Sequence, residues 1–374
     1  MTQTKPKIVI LCSSYAPFMS GAELFIKEIA RQLQDNYDFV VLTARFKKQL
    51  AKEEQQDGCL VKRMGFGLPF GLDKFYFMIF SPWLALRIKP AIVHGVMESY
   101  AGVALIILRW FNKKIPTILT LQCGDLDHPK KQKKIPKRLW QKIHHAPNYI
   151  TAISSFLGRR AERLRGSSKN ISIIPNGFDV NELPPKEKVF ENRIVCVARL
   201  SWEKGIEHLI EALTEIKKTY QSAHLILVGD GPEKETLRNL VEKLGLGDSV
   251  SFKGFLPHQD ALKEISQGEV FVCPSLAEGL GNVFLEAQAC GTPVVGTNVG
   301  GIPDIIQDGF NGLLILPKNS QAIVEAVVKI FSNPALARKF TQNASRTVQK
   351  FAWSNVARQV ADLYQTILNE NNQD

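Results

Sequence analysis

The 374-residue sequence contains no long hydrophobic run. Its longest uncharged apolar-rich stretches are Phe75–Leu86, which Ser81-Pro82 interrupts, and Ser99–Leu108. A membrane-spanning helix needs about 20 apolar residues, so neither stretch qualifies. The N-terminus holds one short apolar run followed by turn residues, unlike a secretory signal. We therefore expect a cytoplasmic protein that touches a membrane only from its cytoplasmic face, as a peripheral protein.

Cysteine pairs and metal-binding motifs are also missing. None of the six cysteines forms a C-x-x-C pair, and none of the seven histidines belongs to an H-E-x-x-H motif or has a cysteine at ligand spacing. We expect buried thiols in a reducing compartment, with no metal or other cofactor. The cysteines are Cys12, Cys59, Cys123, Cys196, Cys273 and Cys290.

The composition is that of a globular protein, with 45% hydrophobic and 22% charged residues. This excludes a disordered or collagen-like chain, and the length indicates two domains of about 150 residues or more. The net charge of +11 is uneven: residues 1–180 carry 28 basic and 13 acidic side chains, whereas residues 181–374 carry 19 and 23. The basic half either meets an anionic surface or ligand, or presents a solvated basic face that favours solubility.

Short apolar runs rich in β-branched residues alternate with longer helical patterns along both halves. This alternation predicts an α/β fold with two doubly wound parallel sheets. The Pro-containing, charged stretch 183–188 is the best linker candidate. We place an N-terminal domain at 1–180, a C-terminal domain at 181–355 and a C-terminal helix at 356–374, which is a candidate to pack back on the first domain. Ligands are expected in a crevice at the carboxyl ends of the strands.

Charged and glycine residues cluster at predicted strand–helix turns. Glu278 and Glu286 flank the loop Gly279–Gly281, whose backbone N–H groups can reach an anion at a helix N-terminus. Arg199 and Lys204 lie five apart on another turn and suit a diphosphate. Taken alone, Arg199 and Lys204 can equally be surface charge. A glutamate pair of this kind is usually solvated, but the position of Glu278 directly after an apolar strand favours a functional role.

Two other turns contain comparable signals. Ser20 and Glu23 open the first helix as a capping box, and the intervening backbone offers a second anion site. The segment VGDGP at 228–232 is neither G-x-G-x-x-G nor a Walker A loop, so by itself it predicts only a tight turn.

Together these segments resemble glycosyltransferase family 4, the retaining nucleotide-sugar transferases of GT-B fold. The resemblance spans essentially the whole chain and is strongest in EGLGNVFLEAQACGTPVVG, which looks like the family's E-x7-E region. The other matching segments are SGAE, IPNGFD, VARLSWEKG, VGDGPEKETL and GFLPHQDAL.

The resemblance implies roles for individual residues. It makes Arg199, Lys204 and Glu278 the catalytic residues: the two cations hold the donor diphosphate, and Glu278 lies close to the transferred hexose. It implies that Glu286 binds the ribose hydroxyls of the donor nucleotide. The remaining donor-binding residues that it implies are Gly21, Phe255, Leu256, Gly281, Asn282 and Val283.

One position departs from the family pattern. Many members carry a histidine that contacts the sugar where this chain has Gln122. A glutamine can donate and accept hydrogen bonds but cannot shuttle a proton. Asp125 is the nearby acidic candidate for handling the acceptor, and Ser20 stands where a glycine is common. These three residues are the predicted acceptor or sugar contacts.

The implied reaction is the transfer of a hexose or N-acetylhexosamine from a UDP- or GDP-sugar to a lipid-linked, glycan or other hydroxyl acceptor. The first domain would bind the acceptor and the second the donor, without a metal. Two alternatives are a nucleotide-sugar epimerase of the same fold, which lacks an acceptor, and a non-catalytic protein that binds sugar nucleotides or lipids.

The segment Lys130–Lys142 contains seven basic residues and Trp140. It is either a solvated basic loop or a surface that binds anionic phospholipid, with the stretch Phe75–Leu86 as a second contact face. Nucleic acid is a weaker option because no nucleic-acid-binding fold accompanies the segment, and we expect no nucleic-acid partner.

Overall fold

The computed structural model describes residues 5–67, 71–122, 136–179, 183–184 and 188–371. The chain divides into two compact units. The first unit comprises Met1–Gly177 together with Trp353–Asp374, and the second comprises Phe178–Ala352. The chain thus enters the second unit three residues before the domain boundary expected from the sequence. It leaves that unit again at Ala352.

The described residues of the first unit form an eight-stranded sheet with the order β3-β4-β2-β1-β5-β6-β7-β8. All neighbouring strands are parallel except β3 and β4, which are antiparallel. Most of its strands are apolar and buried, as a sheet covered on both faces requires. The strands are β1 (Lys7–Leu11), β2 (Asp38–Ala44), β3 (Glu53–Gln56), β4 (Cys59–Met64), β5 (Ile92–Val96), β6 (Thr117–Leu121), β7 (Tyr149–Ala152) and β8 (Ile171–Ile173).

Helices connect the parallel strands of this sheet. Those described before the chain enters the second unit are α1 (Gly21–Leu33), α2 (Leu72–Ile88), α3 (Tyr100–Phe111), α4 (Lys137–His145) and α5 (Ser155–Arg165). Helix α1 has the bounds that its 3.6-residue periodicity predicts, because its apolar residues form one buried face.

The second unit contains a six-stranded, fully parallel sheet with the order β11-β10-β9-β12-β13-β14. Its strands are β9 (Arg193–Val197), β10 (His224–Val228), β11 (Val250–Gly254), β12 (Val270–Cys273), β13 (Val294–Thr297) and β14 (Leu313–Ile315). Its helices are α6 (Ile206–Thr219), α7 (Lys234–Lys243), α8 (His258–Ser266), α9 (Asn282–Ala289), α10 (Ile302–Ile305), α11 (Ser320–Phe331) and α12 (Pro334–Lys350).

The last helix, α13 (Trp353–Asn371), belongs to the first unit and packs against α1. Trp353 contacts the ring of Phe25, and Tyr364 contacts that of Tyr37. The Tyr364 hydroxyl also lies 2.7 Å from Nδ1 of the buried His94 on β5. Residues more than 250 positions apart in sequence therefore share one core.

The predicted α/β class with two parallel sheets and a helical C-terminus is confirmed. The antiparallel hairpin β3–β4, the short strand β14 and helix α5 were not predicted. Among the described residues, no helix is long and apolar enough to cross a membrane.

Candidate functional site

In the second unit, two loops that follow neighbouring strands bring Lys204 and Glu278 together. One loop follows β9 and the other follows β12. Lys204 Nζ lies 2.5 Å from Glu278 Oε2, and both side chains are largely buried. Because adjacent parallel strands end at the same edge of the sheet, residues 74 positions apart become ion-pair partners there.

Backbone contacts hold the two loops in place. Lys204 ends a short 3-10 turn, Trp202–Lys204, and the next residue, Gly205, has a φ of 59°. A Cβ at Gly205 would lie 2.5 Å from the carbonyl oxygen of Pro274, so this close approach requires glycine. The Leu276 N–H donates to the Glu203 carbonyl at 2.7 Å, which joins the loops directly.

A third loop, which follows β13, contacts the backbone of Glu278. The Gly301 N–H donates to the Glu278 carbonyl at 3.3 Å. A Cβ at Gly300, whose φ is 56°, would lie 1.7 Å from that carbonyl oxygen. Ser275 Oγ also donates to Glu278 Oε2 at 3.4 Å. The sequence NVGGIPD after β13 therefore belongs to the site, although sequence reasoning missed it; the glycine pair after a buried strand was the available signal.

The ion pair keeps Lys204 charged. Burial acts to lower the pKa of Lys204, but the Glu278 carboxylate and other neighbouring groups outweigh it, and the pKa lies above its ordinary value. The site thus contains a desolvated cation at neutral pH, where electrostatic attraction to an anion is stronger than in water.

Helix α9 begins beside this ion pair. Its N-cap, Gly281, has a φ of 93° and provides no capping side chain, so backbone N–H groups of the first turn are left for another acceptor. Asn282 and Val283 are the first two helical residues. Asn282 Oδ1 is buried and accepts no hydrogen bond from the described residues. Such an orphaned buried acceptor is rare in native proteins unless a ligand or water satisfies it.

The other predicted donor residues lie on neighbouring elements of the second unit. Arg199 is exposed at the end of β9, and its guanidinium has no partner within the described ranges. Glu286, in the second turn of α9, pairs with His258 at 3.4 Å. Phe255 is 81% exposed on the turn after β11, and Leu256 beside it is half-buried. Of the predicted donor residues, the structure shows direct side-chain contact only between Lys204 and Glu278.

The VGDGP segment is more than a tight turn. A Cβ at Gly229 would lie 1.9 Å from the Ala198 carbonyl oxygen, and one at Gly231 would lie 2.2 Å from the Leu200 carbonyl oxygen. The Leu200 N–H donates to the Asp230 carbonyl at 3.0 Å. The two glycines therefore allow this turn to pack closely against the backbone of the loop that contains Arg199.

In the first unit, Ser20 and Gly21 lie at the carboxyl end of β1, where α1 begins. Glu23 Oε2 accepts the Ser20 N–H at 2.9 Å and the Ser20 hydroxyl, and Glu23 Oε1 accepts the hydroxyl of Ser14. The buried Glu23 carboxylate thus fixes the backbone before Gly21, in agreement with the predicted capping box.

Gln122 follows β6 and is buried. Its Nε2 donates to Asn176 Oδ1 at 2.9 Å, and Asn176 Nδ2 donates back to Gln122 Oε1 at 3.1 Å. Asn176 belongs to the IPNGFD segment and is a site residue that sequence reasoning did not single out. Asp125 lies outside the described residues.

A buried ionic cluster lies at the carboxyl end of β5. Glu98 accepts hydrogen bonds from His144 Nε2 at 2.9 Å and, with both of its oxygens, from Arg160 at 2.7 and 2.6 Å. Burial acts to raise the pKa of Glu98, but Arg160 and His144 together hold it below its ordinary value. The cluster ties α4 and α5 to the sheet edge, and it was also missed because its members are distant in sequence.

Potential metal ligands do not gather in groups of three or more within the described ranges. Five cysteines lie in the described ranges as free thiols; four are buried and Cys290 is half-buried. The site therefore consists of cations, carboxylates and backbone N–H groups.

Family models match both halves of the chain. The Glycosyltransferase Family 4 model matches residues 19–182, and the Glycosyl transferases group 1 model matches residues 179–347. The chain belongs to glycosyltransferase family 4. The family expected from the motifs is thus confirmed, together with the GT-B type of its two parallel-sheet units.

Several curated relatives are similar to this family 4 chain. An uncharacterized glycosyltransferase of Methanocaldococcus jannaschii is 32% identical over 65% of the chain and 66% of its own length. Alpha-D-kanosaminyltransferase of Streptomyces kanamyceticus is 33% identical over 46% of the chain and 45% of its own length. A GDP-mannose-dependent alpha-(1-6)-phosphatidylinositol monomannoside mannosyltransferase of Mycobacterium tuberculosis is 29% identical over 61% of the chain and 64% of its own length. The matches thus span between about half and two thirds of these relatives.

Solved structures match nearly the whole chain. Sucrose-phosphate synthase from Thermosynechococcus elongatus has a TM-score of 0.83 at 21% identity, covering 98% of this chain and all of the other. Anabaena HepE in complex with UDP-glucose has a TM-score of 0.78 at 22% identity, covering 96% of this chain and all of the other. At these identities the likeness establishes the fold.

Proposed function

We propose that this protein transfers a hexose or N-acetylhexosamine, with retention of configuration, from a nucleotide diphosphate sugar to a hydroxyl acceptor. The observation that carries the proposal is the desolvated Lys204–Glu278 pair beside the uncapped N-terminus of α9. A buried cation and free helical N–H groups suit a diphosphate, and a carboxylate suits sugar hydroxyls.

The donor diphosphate would enter beside Lys204. The diphosphate oxygens and the Glu278 carboxylate would then both accept hydrogen bonds from the Lys204 ammonium. Glu278 would keep lone pairs with which to accept hydrogen bonds from hydroxyl groups of the hexose. The unpartnered Arg199 guanidinium would bind the same diphosphate, and the two cations would stabilise the negative charge that develops on the leaving nucleotide. No metal is required for this arrangement of charge.

The nucleoside would lie along neighbouring elements of the second unit. Glu286 would accept the ribose hydroxyls, with His258 holding the carboxylate. The exposed Phe255 ring would face the base, because an aromatic face stacks on any nucleobase. The buried Asn282 oxygen would accept a sugar hydroxyl, which would satisfy its hydrogen-bonding capacity.

The first unit would bind the acceptor through Ser20, Gln122 and Asp125. Gln122 would orient the hexose or the acceptor and not transfer a proton. A lipid-linked acceptor is favoured by the relative that acts on phosphatidylinositol monomannoside and by the basic first unit. The enzyme would then attach reversibly to the cytoplasmic face of a membrane, in part through the segment Lys130–Lys142, of which residues 130–135 lie outside the described residues.

The testing experiment measures nucleotide release from UDP- and GDP-sugars, with and without lipid extracts and oligosaccharides. The proposal expects release that an acceptor accelerates, with a product of retained anomeric configuration. Conversion of the donor without any acceptor would instead show an epimerase. Donor binding without turnover across all acceptors would show a non-catalytic binding protein.

A further inference from the structure

Helix α2 exposes a continuous apolar face. The exposed residues recur at three- and four-residue spacing, so at 100° per residue they occupy about 140° of the helix circumference. The opposite face is buried: Phe77 and Ala85 pack into the first unit, against α3 and the sheet. The exposed residues are Leu72 (58%), Phe75 (52%), Ile79 (52%), Phe80 (46%) and Trp83 (54%).

The end of the neighbouring helix α3 extends this surface. Trp110 is 73% exposed and Phe111 is 65% exposed. Helices α2 and α3 pack against each other, and each connects parallel strands, so their C-terminal ends lie at the same edge of the sheet. We call α2 together with the end of α3 the aromatic surface. Contiguous exposed apolar surface on a soluble protein marks an interaction site.

The stretch of chain that contains the aromatic surface, residues 71–122, exposes charge of one sign. In residues 71–122, all of which the structure describes, the only acidic residues are Asp73 and Glu98, and both are buried. Arg87 lies over the ring of Trp83 at 4.4 Å, which places a guanidinium beside the apolar face. The cations of this stretch are Lys74, Arg87, Lys89, Arg109, Lys113 and Lys114.

We propose that the aromatic surface inserts into the interface of an anionic lipid bilayer. The aromatic rings would lie at the headgroup boundary, and the long cationic side chains would reach the lipid phosphates. A second copy of the chain fits less well, because self-association through this surface would bring cationic rims together without any exposed carboxylate from residues 71–122 to neutralise them. This inference deepens the proposed membrane attachment and rests on it, but it assigns the contact to different residues from the segment Lys130–Lys142.

The first experiment measures co-sedimentation with vesicles of phosphatidylcholine and phosphatidylglycerol, against vesicles of phosphatidylcholine alone. We expect binding to the anionic vesicles that weakens with salt, because screening shortens the reach of charge. Phe75→Glu and Trp83→Glu should each weaken binding by at least about tenfold, since each removes apolar contact and adds a repelled charge. Leu316→Glu is the matched control: Leu316 is 66% exposed in the second unit and should leave binding unchanged.

A second measurement locates the surface in the bilayer. Brominated lipids quench tryptophan emission at the depth of the bromine. The conservative variant Trp83→Phe should keep vesicle binding but lose part of the quenching that the unaltered protein shows. Arg87→Glu with Lys89→Glu should weaken binding to anionic vesicles and leave the weak binding to neutral vesicles unchanged.

The proposal is overturned if the unaltered protein does not bind anionic vesicles, or if Phe75→Glu and Trp83→Glu bind as it does. It is also overturned if sedimentation velocity shows a dimer that Phe75→Glu dissociates, because a second copy then covers the surface. Thermal melting shows whether the variants are folded. Nucleotide release with a water-soluble acceptor tests the transferase activity separately, so loss of vesicle binding with unchanged release contradicts only the membrane proposal.

Discussion

The contact between Lys204 and Glu278 gives the sharpest test at the scale of single residues. Arg199→Ala and Lys204→Ala should each lower turnover by at least about 10²-fold, because each removes a charge that stabilises a leaving diphosphate in a desolvated site. Steady-state nucleotide release measures the effect. Thermal melting in parallel should show a folded protein in both cases.

The second unit offers matched control residues for this test. Arg338 and Lys329 are exposed on α12 and α11. Arg338→Ala and Lys329→Ala should leave turnover within about twofold, since charges in solvent contribute little at a distance. Near-normal turnover in Arg199→Ala and Lys204→Ala would show that these cations do not contact the donor.

The sequence was informative about which candidate residues share one edge of a sheet and uninformative about their side-chain partners. Arg199, Lys204 and Glu278 follow apolar strands, and the carboxyl ends of parallel strands meet at one edge. That rule placed them in one region. It did not predict that Gln122 pairs with Asn176, or that Glu98 binds Arg160, because side-chain pairing across tens of residues depends on packing that no local pattern encodes.

At the scale of elements, the loop after β13 should control the position of Glu278. Gly300→Ala would place a Cβ 1.7 Å from the Glu278 carbonyl oxygen at a φ of 56°. The loop must then move, so we expect a lower melting temperature and at least about tenfold slower turnover.

Gly247 provides the control for this substitution. Nothing lies within 4 Å of a Cβ added there. Gly247→Ala should therefore leave both the melting temperature and turnover close to those of the unaltered protein. If Gly300→Ala behaves like Gly247→Ala, then the loop after β13 does not position Glu278.

The free energy of unfolding of the first unit should depend on pH through His94, which contacts Tyr364 of α13. Burial lowers the pKa of His94 to about 3, and its ring nitrogens contact Tyr364 and Thr120 at 2.7 and 2.6 Å. The unfolded chain binds a proton below a pKa of about 6.5, so this contribution to stability is complete above that pH and falls as the pH decreases towards 3. At pH 5 the loss should be about 2 kcal/mol.

Denaturant unfolding at pH 7.5 and pH 5 measures this loss. His94→Gln lacks the titrating group, so its free energy of unfolding should change less between the two pH values than that of the unaltered protein. An equal change in both proteins would show that His94 does not contribute to the pH dependence.

Some element bounds could be predicted, because apolar periodicity reports burial directly. Helix α1 and strands β7, β10 and β12 have the bounds that their patterns predict. The hairpin β3–β4 could not be found this way. The sequence of β3, EEQQ, contains no apolar residue, because the strand lies at the edge of the sheet. Its backbone pairing with β4 holds it in the strand conformation.

At the scale of the whole molecule, the division into units does not follow the sequence order. Residues 353–371 return to the first unit and complete its core with Trp353 and Tyr364. The sequence predicted the helical pattern of this segment and made the first domain a candidate for its packing surface. It did not predict which side chains would pack together, because an amphipathic helix specifies an apolar face and not the residues that cover it.

The charge distribution of the whole molecule leads to the last prediction. The proposed reaction neutralises the donor diphosphate with Arg199, Lys204 and the N-terminus of α9, so a bound divalent cation has no separate role to fill. Nucleotide release should therefore be unchanged, within about twofold, in excess EDTA. Added Mg²⁺ or Mn²⁺ should not accelerate it by more than that. Lys204→Ala should remain slow when either ion is added, because potential metal ligands do not gather in groups of three or more among the residues that the structure describes. Activity that EDTA abolishes and Mg²⁺ or Mn²⁺ restores would contradict the mechanism and would require metal ligands at the donor site.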